Sequence, residues 1–192
     1  RGLGDVYKRQ AAAFKDNIPS EDAFLVKRLK AKGALILGKV NLSEWAYYFC
    51  QGCPLGYSAM GGQTLNPYGR KTFESGGSSS GSGVAVAANY AMAAIGSETS
   101  GSILSPSGKN SVVGLKPTIG AVSRSGVVPI SSTLDTAGPM TKNVVDNAIL
   151  MNALVGEDPT DSYSFKSKPI FYQGLDTVSL KGKRLGIFTA FE

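Results

Sequence analysis

The sequence predicts an α/β fold. Three observations carry that reading: apolar runs of strand length, helical apolar faces with caps and stops, and the alternation of the two along the chain. Ser20 after Pro19, followed by Glu21 and Asp22, predicts a helix N-cap with acids in the first turn. Ala23, Leu25, Val26 and Leu29 form one apolar face, and Gly33 is placed to close the helix at C′. Ala34-Leu35-Ile36-Leu37 predicts a short, fully apolar strand. A second helix is expected to begin at Asn41-Leu42-Ser43-Glu44-Trp45-Ala46, with Trp45, the single tryptophan, read as core.

The segment 52–75 is rich in turn residues and reads as loop. From Gly83 to Ala94 the chain is almost wholly apolar, which predicts a buried helix running into a strand near 93–97. Further strands are expected near 112–116 and 126–128. The strands at 34–37, 93–97 and 112–116 should share one sheet, with the helix after Ser82 packed on it. Thr141 is read as the cap of a last helix, Val144 to Leu154, stopped by Gly156. No internal repeat is visible.

Composition narrows the chemistry. Among 192 residues there are 24 Gly, 9 Pro, 2 Cys and no His. Without histidine there is no Ser-His-Asp triad, no Cys-His dyad and no His-ligated metal within the chain. Acid–base work must fall to Lys, Tyr, Asp, Glu or Ser. Neither a cofactor nor a metal is expected. Cys50 and Cys53 in C-Q-G-C are too few for a zinc site and sit among loop residues, so they read as free thiols. The net charge of +6 is spread out. Its densest group, Lys27-Arg28-Lys30-Lys32, reads as a solvated helix face rather than a nucleic-acid stripe. No run of 18 apolar residues suggests a membrane span. A cytoplasmic location is favoured over export. Residues 1–10, RGLGDVYKRQ, lack periodicity and read as a non-native leader. Residues 11–192 read as a fragment of one domain.

The informative stretch is Gly76-Gly77-Ser78-Ser79-Ser80-Gly81-Ser82-Gly83, followed at a distance by Glu98-Thr99-Ser100-Gly101-Ser102-Ile103. A phosphate cradle is one reading, because glycine loops at helix N-termini aim N–H groups at anions. It lacks the G-K-S/T ending and the G-x-G-x-x-G spacing. Gly77-Ser78-Ser79-Ser80-Gly81 fits a nucleophile elbow, but that device needs a histidine. A loop that merely packs tightly is the plain alternative.

Other blocks decide between them. Leu37-Gly38-Lys39-Val40-Asn41-Leu42-Ser43-Glu44 reads as L-G-K-T-N-x-x-E. Val112 to Thr118 contains G-L-K-P-T, and Leu134 to Met140 contains D-x-x-G-P-M. With the two serine-glycine segments, these blocks in this order resemble the amidase signature family of serine hydrolases. Glu98-Thr99 and Gly62-Gln63-Thr64-x-Asn66-Pro67-Tyr68 look most like its peptide amidase branch.

The resemblance implies a mixed central β-sheet covered by helices, and a Ser–cis-Ser–Lys triad. By motif position Ser102 is the nucleophile. Ser78 is the bridging serine, joined to Gly77 by a cis peptide bond and within hydrogen-bond reach of the Ser102 hydroxyl. The amides of Thr99, Ser100, Gly101 and Ser102 are expected to face the oxyanion, with Gly77 and Ser79 supporting the loop. The implied activity is hydrolysis of a small-molecule or peptide amide through an acyl-enzyme. Two alternatives stay open. One is the glutamine-hydrolysing component of a tRNA-dependent amidotransferase, which needs partner chains. The other is a non-catalytic scaffold of the same fold.

The resemblance also implies a lysine base in a K-D motif. Phe14-Lys15-Asp16-Asn17 looks like that motif. Lys15 nevertheless precedes Ser78 by only 63 residues, a short gap for the family, and runs straight into the Ser20 segment. Lys15 is therefore read as a lookalike whose ammonium does not reach Ser78, and the true base as lying upstream of Ala11. Asp135 reads either as a pin for the serine loop or as a solvated turn acid, and Arg124 as a surface residue.

Overall fold

The computed structural model describes residues 11–49, 52–169, 172–174, 177 and 179–186. Helix α1 (Phe24–Ala31) buries Leu25, Val26 and Leu29. It starts four residues after Ser20 and has no side-chain cap. Instead the Phe24 amide donates to the Ser125 carbonyl at 3.2 Å. The acids predicted for its first turn reach along the helix, Glu21 to Lys27 and Asp22 to Lys30. Its end follows the expectation. Gly33 takes φ +83°, its amide donates to Lys30 O and the Ala34 amide to Leu29 O, the paired bonds of a Schellman stop.

The expected strand at 34–37 does not form, and no strand pairs with it among the described residues. Leu35 is 87% exposed and Leu37 75%. Apolar on every residue, this run has the character of a strand covered on both faces, and nothing described covers either one. The helix expected from Asn41 is also absent. In its place is a single 3-10 turn, Glu44–Tyr47, in which Trp45, Ala46 and Tyr47 have φ of +51°, +53° and +70°. Tertiary bonds displace the helix here: Asn41 Nδ2 donates to Gly62 O and Thr64 Oγ1, and the Ser43 amide to Ser78 O. Trp45 is half-buried, edge-on to Phe14 and Phe49, rather than in the core. Segment 52–75 is loop apart from the small hairpin of β1 (Tyr57–Ser58) and β2 (Gly62–Gln63). Cys53 is disulfide-bonded, so the free-thiol reading does not hold.

Helix α2 (Ser80–Ala87) begins three residues earlier than the apolar run and buries six of its eight residues. It stops at Ala87, because Asn89 turns left-handed at φ +63°, ahead of β3 (Ala93–Glu98). A short α3 (Leu104–Lys109) follows, then β4 (Val113–Gly114), β5 (Thr136–Thr141) and α4 (Val144–Leu154). The main sheet is antiparallel in the order β3-β5-β4. Two of the three strands expected in one sheet are therefore there. The central one was missed, since Gly138 and Pro139 argue against an inner strand. The register explains the tolerance. Pro139 O accepts from the Leu115 amide at 3.1 Å, so its polar edge faces β4. Its missing N–H falls where the two-residue β4 has already ended, and β3 loses no bond.

Segment 126–128 is a turn rather than a strand. Gly126 has φ +83° and lies against Ala23, and the Val127 amide donates to Arg124 O. The core lies between α1 and α4, with Val122 and Ala137 closing it against Leu25, Val26, Met151 and Leu154. Asn143, not Thr141, caps α4: its Oδ1 accepts the Asp146 amide at 2.8 Å. Thr141 ends β5 and donates its hydroxyl to Asn143 O. Arg28, from the basic face of α1, donates to Val155 O at 2.5 Å and satisfies the end of α4.

A polar clasp joins segment 156–165 to 120–125. The Ser123 hydroxyl donates to Asp158 at 2.5 Å, and Arg124 grips Asp161 through Nε and Nη2. Arg124 also lies 4.3 Å from the Tyr163 ring centroid and has a side chain only 17% exposed, which corrects the surface reading. Burial works against the Asp158 carboxylate, but hydroxyls of Ser123, Ser125 and Thr160 and the Thr160 amide outweigh it, bringing its pKa to about 2. The Arg124 guanidinium holds Asp161 low as well.

Both carboxyls have folded pKa values below their unfolded ones. Their contribution is thus full above about pH 4 and disappears as the pH falls toward 2. Asp158→Asn should lower stability at pH 7 by about 1–3 kcal/mol, and denaturation at falling pH should show the gap from the parent closing toward pH 2. At the exposed run, Leu35→Lys with Leu37→Lys should reduce binding of an apolar dye while stability stays within about 0.5 kcal/mol. A larger loss in chemical denaturation would mean that the run is packed.

Candidate functional site

Two loops meet at the C-terminal end of β3. The first, residues 75–80, leads into α2. It contains a cis peptide bond between Gly77 and Ser78. The Ser78 carbonyl accepts from the amides of Ser43 and Ser80 at 3.0 and 2.8 Å. Ser79 ties the loop to the sheet: its hydroxyl donates to Ser97 O and accepts from the Ser97 amide, each at 3.1 Å. Asn110, wholly buried, donates to Ser75 O at 2.8 Å and holds the loop from the α3 side.

The second loop, 99–102, joins β3 to α3. Its backbone touches the first where the Ser79 amide donates to Ser102 O at 3.1 Å. Gly101 has φ +81°, and a Cβ there would meet nothing within 4 Å. The position therefore requires glycine for its dihedral rather than for space. Glu98, 3% exposed, binds the amides of Ile103 at 2.6 Å and Leu104 at 2.9 Å through one carboxylate oxygen. Asp135, 8% exposed, accepts the Thr99 hydroxyl at 2.5 Å and the amides of Ile130 and Ser131 at 2.7 and 2.8 Å. Of the two readings of Asp135, the structure shows the pin. The amides of Ser100, Gly101 and Ser102 donate to no acceptor among the described residues.

Ser78 is 2% exposed, and its Oγ has no hydrogen-bond partner. The expected Ser78–Ser102 hydroxyl bond is therefore not made, although the two backbones lie side by side. Ser102 is half-buried, and Ser100 faces solvent. No lysine among the described residues hydrogen-bonds Ser78; Lys15 is exposed at the end of a 3-10 turn. An orphaned buried hydroxyl costs about 1–3 kcal/mol, so the Ser78 environment is suited to a partner that the described residues do not supply.

Among the described residues there is no group of three or more Cys, Asp and Glu placed to hold a metal. A cavity of about 700 Å³ lies between residues 17–24 and 125–129, and neither Ser78 nor Ser102 lines it. The sequence reading missed Glu98 as a bracket for the loop. The signal was available: a carboxylate between an apolar strand and a Gly/Ser turn has few fates besides binding the turn's amides.

The two loops thus bring together a half-buried serine, free loop amides and a second, buried serine, in a chain that has no histidine. Residues 10–192 match the family model described as Amidase, and the chain belongs to that family. It is 47% identical over 180 residues to a probable amidase of Arabidopsis thaliana, an alignment that covers 91% of this chain and 35% of that protein. It is 43% identical over 174 residues to a glutamyl-tRNA(Gln) amidotransferase chain of Lawsonia intracellularis, covering 90% and 35%. The solved native peptide amidase of Stenotrophomonas maltophilia superposes with a TM-score of 0.79 at 49% identity, over 86% of this chain and 34% of that one. The chain thus spans about a third of the length of these relatives.

Gly101→Ala should cost about 1–2 kcal/mol through its dihedral alone. Gly81→Ala should cost more, because its Cβ would run into the Asn41 backbone. Urea denaturation of the two variants checks the order.

Proposed function

We propose that the protein hydrolyses carboxamides through an acyl-enzyme on Ser102. The carrying observation is the buried, unpartnered Ser78 hydroxyl, one residue before the Ser79 amide that binds Ser102 O, with a loop of free amides alongside. In this reading Ser102 Oγ attacks the amide carbon and passes its proton to Ser78 Oγ. Ser78 hands its own proton to a neutral lysine amine. A hydroxyl suits the relay because it donates and accepts at once. A lysine serves as base once desolvation lowers its pKa.

The carbonyl oxygen takes up the negative charge and is received by the amides of Thr99 to Ser102. One such donor is worth about 3–4 kcal/mol in the transition state. The C–N bond then breaks, the leaving nitrogen takes the proton back through Ser78, and ammonia or an amine departs. Water repeats the sequence on the ester and frees the carboxylic acid.

The base is a lysine from outside the described residues. Lys15 remains a lookalike in this reading, supported by its exposure and by the orphaned Ser78. The substrate is a linear amide, with a peptide C-terminal amide favoured by the likeness to peptide amidase. The similarity to the amidotransferase chain favours a second reading, glutamine hydrolysis within a complex. Release of ammonia from peptide amides, but not from free glutamine, decides for the first.

The test compares the 192-residue chain with a version extended to carry the family's K-D motif. Turnover is expected only in the extended version, and Ser102→Ala in it should cost roughly 10⁴–10⁶-fold in kcat. Activity of the short chain that Lys15→Ala abolishes would overturn the assignment of the base. Activity that survives Ser102→Ala would overturn the nucleophile.

A further inference from the structure

We propose that Asp135 is a positioning residue for the oxyanion loop, acting through the Thr99 hydroxyl. The inference rests on reading residues 99–102 as that loop. The loop is held at both ends by carboxylates. Glu98 binds the amides of Ile103 and Leu104, at the end that leads into α3. Asp135 binds Thr99, at the end that leaves β3. Between the anchors lie the unpaired amides of Ser100, Gly101 and Ser102.

The geometry separates this role from that of an ordinary turn acid. A turn acid has its duties met by nearby backbone, and Asp135 performs them with one oxygen, on the amides of Ile130 and Ser131. Its other oxygen crosses 36 residues of sequence to reach Thr99 at 2.5 Å. No turn needs that bond. Asp135 directly precedes Thr136, the first residue of the central strand β5. The bond therefore references the loop to the most rigid part of the sheet, which preorganised donors require. The neighbouring turn is fastened as well, since Arg124 donates to Ser132 O at 2.5 Å while gripping Asp161.

Thr99→Val removes the cross-link and leaves the Asp135 turn bonds in place. Thr99→Ser restores the hydroxyl. In the 192-residue chain, NMR order parameters at Ser100, Gly101 and Ser102 should fall in Thr99→Val from about 0.85 to below about 0.6. Ile130 and Ser131 should stay rigid, and Thr99→Ser should behave like the parent. In the extended, active version, Thr99→Val should lower kcat about tenfold with KM within twofold, and Thr99→Ser should rescue it.

Unchanged order at 100–102 in Thr99→Val would overturn the proposal. So would equal loosening at 130–131, which would reduce Asp135 to a structural turn acid, or an effect confined to KM. If no version hydrolyses amides, the functional reading fails, and the order parameters still decide whether Asp135 positions the loop.

Discussion

The reciprocal pair of hydrogen bonds between the Ser79 hydroxyl and the Ser97 backbone is the constraint on which the site depends. It brings a loop with a cis bond against the end of a strand and fixes the distance between the two serine segments. The approach leaves no room for side chains. A Cβ on Gly76 would lie 2.8 Å from Pro106 Cα, and one on Gly96 would lie 2.9 Å from both Ile103 and Met140. Gly76 and Gly96 thus mark close packing against residues 103–106 and β5 rather than a flexible tract.

Loops brought this close to a core carry backbone groups that water cannot reach, and each needs a partner. Amide side chains supply much of the answer. Asn41 serves the carbonyls of Gly56 and Gly62, Asn66 those of Glu74 and Lys109, and Asn110 those of Ser75 and Pro106. Asn147 does the same at the sheet edge, where the two-residue β4 leaves Val113 O to be met from α4, and it adds a second donor to Pro139 O. Carboxylates answer the opposite need and bind the amides and hydroxyls at the loop ends. Among the described residues Ser78 Oγ, Ser107 Oγ and Asn110 Oδ1 are buried without a hydrogen-bond partner, and of these Ser78 alone lies in one of the two serine loops.

The exposed aliphatic run at 35–37 belongs to the same account. The α1–α4 core closes on itself, with Leu25, Val26 and Leu154 each at most 1% exposed. Leu35 and Leu37 have no such enclosure. That contrast fits a chain spanning about a third of its relatives' length: one core is complete within it, and one strand-like run is not.

Where hydrogen bonds are local, the sequence by itself determined the outcome. Gly33 stopped α1 because a Schellman turn is written in six consecutive residues. The span of α4 and the turn-rich character of 52–75 followed from the same short-range rules. The ordered motif blocks identified the family, and the cis bond at Gly77–Ser78 is present. Only the tertiary structure decided the rest, because distant partners set it. Asn41 and Ser43 gave up a helix to bond residues up to 40 positions away. Pro139 entered a central strand because β4 ends beside it, a matter of register that no local pattern reveals. Asp135 became a pin because Thr99 folded to within 2.5 Å of it. Ser78 and Ser102 were paired by motif, and the fold brings their two loops together through the Ser79 amide and Ser102 O, but it leaves the Ser78 hydroxyl unbonded.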